Sequence, residues 1–519
     1  MIARMKQGSP PGTMSRRSAL KLGAAAAVGV AAPATLSTPR PAAASQAATS
    51  PQRPRNIIFM VADGMSPGVP ALAEAFSRIV RDDGKGTRWR ELAAREDAVR
   101  GYFDMTSLNS LVTDSAAASS SWGSGSRIFN WAVNMLPDGR PLTPIAPLAR
   151  QRGKRVGLVT TTRITHATPA GFAASAPNRD FEADIALQYL DRVDVVLGGG
   201  AMYFTPALRA DRRDVLADYR AAGFLTLESR DALLSCPVVG QKVLGVFSDG
   251  HVPFTIDRQR EPALQRQTPT LAEMTEFALE NLARSPDGFL LQVEGGRIDH
   301  AAHDNDAATL LHDQLAFDDA IGVTLDFARD HPDTLIVITT DHGTGNPGLS
   351  GMGGKYHQSN AGFEKVAAAK ESFESMHGRL SGTAKKSGAA PDAHALMTTV
   401  RDGCGIEIRE QDAATLAGLY QKKPIASAEI SRFQSDAAGL LGQMLANHTG
   451  MTFTGIVHTS DWALSLAIGP GAERFSGLRA NTDAFEIMAE FMGIDHRNPR
   501  MTADAAKKFA AVPSRDRYA

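Results

Sequence analysis

Cysteine is nearly missing from this chain of 519 residues: only Cys236 and Cys404 occur, far apart. Two thiols cannot build a zinc ribbon, so any bound metal must be held by histidine and carboxylate side chains. They leave open one disulfide or two separate thiols. Long apolar runs are scarce too. The weakly apolar stretch at 22–32 falls well short of the ~20 residues that cross a bilayer, and Pro33 breaks it, so no membrane span is expected. No internal repeat or heptad array is present, which excludes solenoids and coiled coils. Neither charge dominates, the formal net charge being −1. The first 44 residues hold Arg4, Lys6, Arg16, Arg17, Lys21 and Arg40 and no acid, so 55 basic residues less these six leave 49 against 56 acidic, or −7. A mildly acidic body offers no electrostatic footing for nucleic acid. Gly-x-Ser-x-Gly is absent around Ser115, which argues against a Ser-His-Asp hydrolase.

What is there describes an ordinary globular protein, 43% hydrophobic, long enough for one large α/β core with insertions. Ser15-Arg16-Arg17-Ser18-Ala19-Leu20-Lys21 reads as a twin-arginine export signal, with Ala19 where phenylalanine is common. Small residues Ala42 to Ala44 offer a cleavage site. Residues 1–44 are therefore expected to be a signal peptide and 45–55 a linker, and the protein periplasmic or secreted.

Farther along, apolar runs end in polar residues. The run from Asn56 ends at Asp63-Gly64; that from Arg155 leads to His166 and Thr168; that from Val193 to a glycine triplet; that from Phe289 to Glu294; that from Thr334 to Asp341-His342. Helical segments at 181–190, 270–283 and 307–328 lie between them. Alternation of this kind predicts an α/β fold: a doubly wound, mostly parallel central sheet with helices on both faces and its site along the carboxyl edge. Residues 350–455 interrupt the pattern with helical stretches at 411–420 and 427–445 and read as a lid- or crown-like insertion. The core would thus span 56–349 and be completed by 456–519.

Ser115 lies in Leu-Val-Thr-Asp-Ser-Ala-Ala-Ala, read as an apolar strand end running into helix-forming residues. Such a turn exposes the serine oxygen, and the helix dipole favours an anion there. A free hydroxyl is a poor nucleophile and needs a base or a metal. Ligands are plentiful. Asp299 and His303 are four apart and share one helix face, and His458 would complete a three-ligand set with an open position. Asp341 and His342 sit together at a strand end. Asp63, Glu294 and Thr168 are oxygen donors suited to a hard ion.

Thr-Asp-Ser-Ala-Ala, Val-Glu-Gly-Gly-Arg-Ile-Asp-His-x-x-His and Thr-x-Asp-His-Gly together resemble the alkaline phosphatase family, from about residue 56 to about 488. The runs near 200 and 250 resemble it as well. The resemblance implies hydrolysis of small phosphate monoesters through a phosphoserine on Ser115, with two Zn2+ and one Mg2+. It implies a first zinc on Asp299, His303 and His458, and a second on Asp63, Asp341, His342 and the Ser115 oxygen. The magnesium would rest on Asp63, Thr168 and Glu294, and Arg179 would clamp the phosphate. His166 and His300 would stand just behind the ligands, where some bacterial members carry aspartate and lysine, so the third site could also accept zinc. A homodimer is the oligomer considered. The rivals are a phosphodiesterase of the same superfamily and a secreted metal- or phosphate-binding protein without turnover. Ser115, Arg179 and Glu294 favour monoesters, since a guanidinium and a third cation answer a dianion.

Overall fold

The structure, a computed structural model, describes residues 53–509 except 82, 353–354, 388, 422 and 424–435. The expected export signal and most of the linker lie outside the described residues, as do 510–519.

The core is a 10-stranded sheet. In chain order the strands are β1 (Asn56–Val61), β2 (Val99–Asp104), β3 (Arg155–Arg163), β4 (Val195–Gly199), β5 (Phe224–Leu227), β6 (Lys242–Val246), β7 (Phe289–Glu294) and β8 (Thr334–Thr339). Four two-residue strands follow: β9 (Gly343–Thr344), β10 (Gly348–Leu349), β11 (Met451–Thr452) and β12 (His458–Thr459); then come β13 (Ala463–Ile468) and β14 (Gly477–Ala480). The large sheet runs β14-β2-β13-β8-β1-β7-β3-β4-β6-β5. Only β13 is antiparallel to its neighbours β2 and β8; the remaining pairings are parallel.

β1 shows why its sequence is unbroken in hydrophobicity. Ile57, Phe59 and Val61 enter one core layer while Ile58, Met60 and Ala62 enter the other. Successive side chains point to opposite faces, and both faces are covered. Helices Ile145–Gln151, Ala167–Ala173 and Asp483–Phe491 contribute to the first layer. Val69–Val80, Leu271–Leu282 and Ala307–Asp330 contribute to the second. The doubly wound architecture is as predicted.

Strand order then decides the site. β7, β1 and β8 are adjacent, with Val61 level with Glu294 on one side and Thr339 on the other. Asp63, Glu294 and Asp341 therefore emerge side by side at the carboxyl edge. β13 runs the other way, so its start lies at that same edge, and His458 arrives just before it. β12 pairs with β9, setting His458 opposite Thr344.

The approach to Ser115 differs from the sequence expectation. No strand leads into it: β2 ends at Asp104, and 105–114 is irregular. Helix Ser115–Ser124 starts from an N-cap, Asp114, whose side chain accepts from the Ala117 amide at 2.9 Å. The apolar Leu-Val-Thr run was misleading because Leu111 is exposed on that loop. This helix is buried along its whole length and packs closely on Ala167–Ala173. Ser119 Oγ donates to the Ala167 carbonyl at 2.9 Å. A Cβ on Gly123 would lie 1.9 Å from the Gly171 carbonyl oxygen. Small residues are thus what allow the helix bearing Ser115 to touch the one bearing Thr168.

The segment between β10 and β11 leaves the core and returns at one place, because those two strands pair antiparallel. It has its own apolar cluster, including Phe373, Met376, Leu396, Val400, Leu416 and Leu441. The helix predicted at 411–420 is Glu410–Tyr420. The one predicted at 427–445 starts later, as Ala437–Thr449 capped by Asp436, and 427–435 lie outside the described residues. Phe373 N donates to Asp306 Oδ2 at 2.8 Å and Arg297 Nη2 to Glu374 Oε2 at 2.7 Å, tying the segment to the site-bearing helices. Cys236 is half-buried and Cys404 buried, and both are free thiols.

Gly123→Ala should destabilise the protein by about 1–3 kcal/mol, the usual cost of overpacking where backbone must yield. Urea unfolding and steady-state turnover measured together check this. An unchanged midpoint would mean that the helix pair is not tight.

Candidate metal centre

Three groups of ligand atoms converge at the carboxyl edge. The first is Asp299, His303 and His458; the second Asp63, Asp341 and His342; the third Asp63, His166 and Glu294. In the first group, Asp299 Oδ2 is 3.3 Å from His303 Nε2, and the two histidine Nε2 atoms are 3.1 Å apart. Helix Arg297–His303 carries the aspartate and its i,i+4 histidine on one face, as the spacing predicted. The other nitrogens are held from behind: His303 Nδ1 lies 2.6 Å from the Ile456 carbonyl and His458 Nδ1 2.9 Å from that of Thr113. Such backing leaves both Nε2 atoms to face one ion.

The second group contains the serine. His342 Nε2 is 3.1 Å from Asp341 Oδ2, 3.6 Å from Asp63 Oδ1 and 3.2 Å from Ser115 Oγ. Asp341 Oδ1 accepts from the Gly64 and His342 amides, each at 3.0 Å, which turns Oδ2 inward. Gly64 is itself required: its φ is +69°, and a Cβ there would sit 2.6 Å from Asp299 Oδ1. In the third group Glu294 Oε2 accepts from Thr160 at 2.5 Å, leaving Oε1 forward.

Several of these atoms are buried with no hydrogen-bond partner among the described residues: both Asp63 oxygens, Glu294 Oε1, Asp341 Oδ2, Thr168 Oγ1 and His166 Nδ1. Buried polar atoms are ordinarily paired, so a cluster of orphans marks the place of another ligand. Burial, and Asp341, Asp299 and Glu294 beside it, push Asp63 well above the usual carboxylate range. Burial lifts Glu294 to about 7. Burial also opposes the charge on Asp299, yet His303 and His458 outweigh it and hold that carboxyl well below its usual range. Likewise burial disfavours the His303 imidazolium, but Asp299 raises it to about 9. Burial and His342 depress His458 to about 3. Acids pressed together in this way fit divalent cations, which would relieve the repulsion and satisfy the orphaned oxygens.

The resemblance implies a phosphate clamp at Arg179. Its partner is not the adjacent Asp180 but Asp114, reached by Nη1 at 3.1 Å, while Nη2 is 2.9 Å from His166 Nε2. Asp114 therefore caps the helix of Ser115 with one oxygen and orients Arg179 with the other. His166, expected behind the ligands, comes forward enough to offer its unpaired Nδ1 to the third group, beside Thr168 Oγ1. His300 does stand back, its Nδ1 2.7 Å from Arg297 Nη1.

Sequence reading missed four residues. Thr344 joins the first two groups, its hydroxyl donating to Asp299 Oδ1 at 2.6 Å and lying 3.2 Å from His342 Nδ1. Thr160 and Asp114 act as described, and His251 packs against His300 with ring centroids 4.4 Å apart. Asp114 stands in a motif already singled out, Thr344 directly follows another, and His251 lies in the run near 250. Nothing local distinguishes a hydroxyl that bridges two sites from one that caps a turn.

The family model for alkaline phosphatase matches residues 54–494. Alkaline phosphatase 4 of Bacillus subtilis (strain 168) is 32% identical over 450 residues, covering 84% of this chain and 88% of that protein. Among solved structures, Thermus thermophilus alkaline phosphatase aligns with a TM-score of 0.80 at 34% identity, covering 91% of this chain and 99% of the other. A cold-active alkaline phosphatase from the psychrophile Shewanella sp. aligns at 0.67 and 28% identity, covering 84% and 99%.

Thr344→Val keeps the shape and removes the bridging hydroxyl. Loss of an outer hydrogen bond to a ligand should weaken metal binding about 10–100-fold. Competition with a chromogenic chelator measures it, and an unchanged affinity would make Thr344 a packing residue only.

Proposed function

This chain belongs to the alkaline phosphatase family and hydrolyses phosphate monoesters; from that premise we propose that Ser115 is the nucleophile and that the three ligand groups hold two Zn2+ and a third cation. What carries the assignment is the Ser115 oxygen, buried at the first position of its helix and 3.2 Å from a histidine of the second ligand group. Asp299, His303 and His458 would hold the first zinc, and Asp63, Asp341 and His342 the second with the Ser115 oxygen. Asp63, Glu294 and Thr168 suit Mg2+, although His166 Nδ1 adds a nitrogen donor that suits zinc better. When bound, the cations supply the charge that lowers the pKa of a hydroxyl or water and steadies a leaving oxygen.

The chain's own part runs as follows. Ser115 Oγ, aligned by Asp114 at the N-cap, attacks phosphorus and releases its proton to solvent, which supplies one to the departing alcohol oxygen. The bond from phosphorus to the alcohol oxygen breaks, leaving phosphate on the serine. Helix N–H groups of the first turn and the helix dipole favour the phosphoryl group at that end. The planar fork of Arg179 fits the non-reacting oxygens. Asp114 and His166 hold it in place so that little orientation is lost on binding. Water then attacks the phosphoserine, and Ser115 leaves as the hydroxyl with inorganic phosphate released. The twin-arginine run at 15–21 supports export to the periplasm or beyond, a route that carries folded and so metal-loaded protein.

Ser115→Ala should abolish the phosphoenzyme and nearly all turnover. Acid trapping and peptide mapping of the unmodified protein should find phosphate on Ser115; phosphate on Thr113 would overturn the assignment. The ligand groups separate by a second comparison. His458→Ala should lose activity and regain much of it in excess zinc, since a weakened site refills by mass action. Asp341→Ala should be rescued far less, because the serine loses its own cation. Equal rescue would end this division between the two groups.

A further inference from the structure

The glycine triplet Gly198-Gly199-Gly200 belongs to none of the ligand groups, yet it shapes the strand beside it. Val159 of β3 is level with Leu197 of β4 and Arg163 with Gly199, so four steps on β3 answer two on β4. β3 bulges there, and bulges re-aim side chains. A Cβ on Gly198 would lie 2.6 Å from Ile164 Cγ2 and 2.9 Å from Thr160 Cγ2, so glycine leaves the room that the bulge needs. Thr160 is thereby turned to Glu294, and Arg163 to a carboxylate that the reaction as described does not use.

That carboxylate is Glu182, buried at the start of helix Glu182–Gln188 and three positions after Arg179. It accepts from Arg163 Nε at 2.9 Å and Nη2 at 2.5 Å, and from Thr165 Oγ1 at 2.6 Å. The Tyr203 hydroxyl adds a longer contact at 3.4 Å. The remaining Arg163 nitrogen, Nη1, lies 2.5 Å from His251 Nε2. Two-pronged pairing of guanidinium and carboxylate fixes the orientation of both groups. One side chain thus joins the segment of Arg179 to the strand end that leads into His166 and Thr168.

The clamp segment is pinned on both sides of Arg179. Before it, Val133 and Ala176 exchange amide hydrogen bonds at 3.0 and 2.8 Å; after it comes Glu182. Between these points Arg179 reaches Asp114, on the helix of Ser115, and His166, just beyond the bulged strand. Apolar side chains of similar volume often stabilise a core as well as a buried ion pair does, whereas the pair dictates one geometry. We propose that Glu182 is a positioning residue for phosphate binding: through Arg163 and Thr165 it sets the Arg179 segment against the end of β3. Clamp and third ligand group are then placed together. The proposal rests on Arg179 as the phosphate clamp.

Glu182→Gln keeps the shape and removes the charge. It should raise the inhibition constant of inorganic phosphate about tenfold or more, since displacing a positioned group by about 1 Å can cost a hundredfold. The decisive measurement is the double variant, because residues that act through one another are not additive. With Arg179→Ala already in place, adding Glu182→Gln should change phosphate inhibition by no more than about twofold. A full further loss there would make Glu182 a structural residue and overturn the proposal, as would unchanged inhibition in Glu182→Gln alone. Should that variant fail to fold, Thr165→Val removes one bond to Glu182 at constant shape and enters the same cycle, with a smaller loss that must also vanish beside Arg179→Ala. Failure of the underlying reading looks different: Arg179→Ala by itself would then leave phosphate inhibition unchanged, and both readings would fall.

Discussion

Four carboxylates, those of Asp63, Glu294, Asp299 and Asp341, meet at one sheet edge almost wholly removed from water. Among the described residues their ion-pair partners are histidines, with no lysine or arginine paired to them. Uncompensated charge at this depth costs several kcal/mol per ion, more than any one local contact returns. The arrangement is sensible only with cations among the acids, and the rest of the site is built to keep it so. Amides of Gly64 and His342 turn one Asp341 oxygen away, Thr160 turns one Glu294 oxygen away, and carbonyls of Ile456 and Thr113 back the two histidines of the first group. Each contact leaves one donor atom facing inward.

The sheet serves that requirement. Three adjacent parallel strands end in three acids, and the single antiparallel strand returns a histidine to the same edge. A purely parallel order would have delivered His458 at the far end of the sheet. The tight pairing of Ser115–Ser124 with Ala167–Ala173 then sets the serine and Thr168 on a shared, rigid base. Rigidity matters because phosphoryl transfer is accelerated mainly by positioning and charge, and both decay over fractions of an ångström.

Asp114 links the two functions of the site. One oxygen caps the helix of Ser115, the proposed nucleophile; the other holds Arg179 and the amide of Trp131. Ser115 and Arg179 are therefore held by one side chain. The insertion is tied in differently, through Asp306 and Arg297 on the elements around the first ligand group. It has its own apolar cluster and also gives Phe363 and Val366 to the second core layer.

Much of this was legible in the chain because it is local. Apolar runs ending in Asp63, Glu294 and Asp341 reveal buried strands with polar tips, since both sheet faces exclude water. Asp299 and His303 reveal a shared helix face, since 3.6 residues make a turn. Residue types alone told oxygen donors from nitrogen donors. Other features had no local trace. The run before Ser115 looked like a strand, but its exposure on an irregular loop depends on what packs beside it. Arg179 pairs with Asp114 rather than its neighbour Asp180, Thr344 bridges two ligand groups, and His166 reaches the third. Each of these follows from strand order and helix contact, which bring together residues tens to hundreds of positions apart. Hydrophobic periodicity records which side of an element is buried; it carries no record of which element lies against it, and that choice belonged to the tertiary structure.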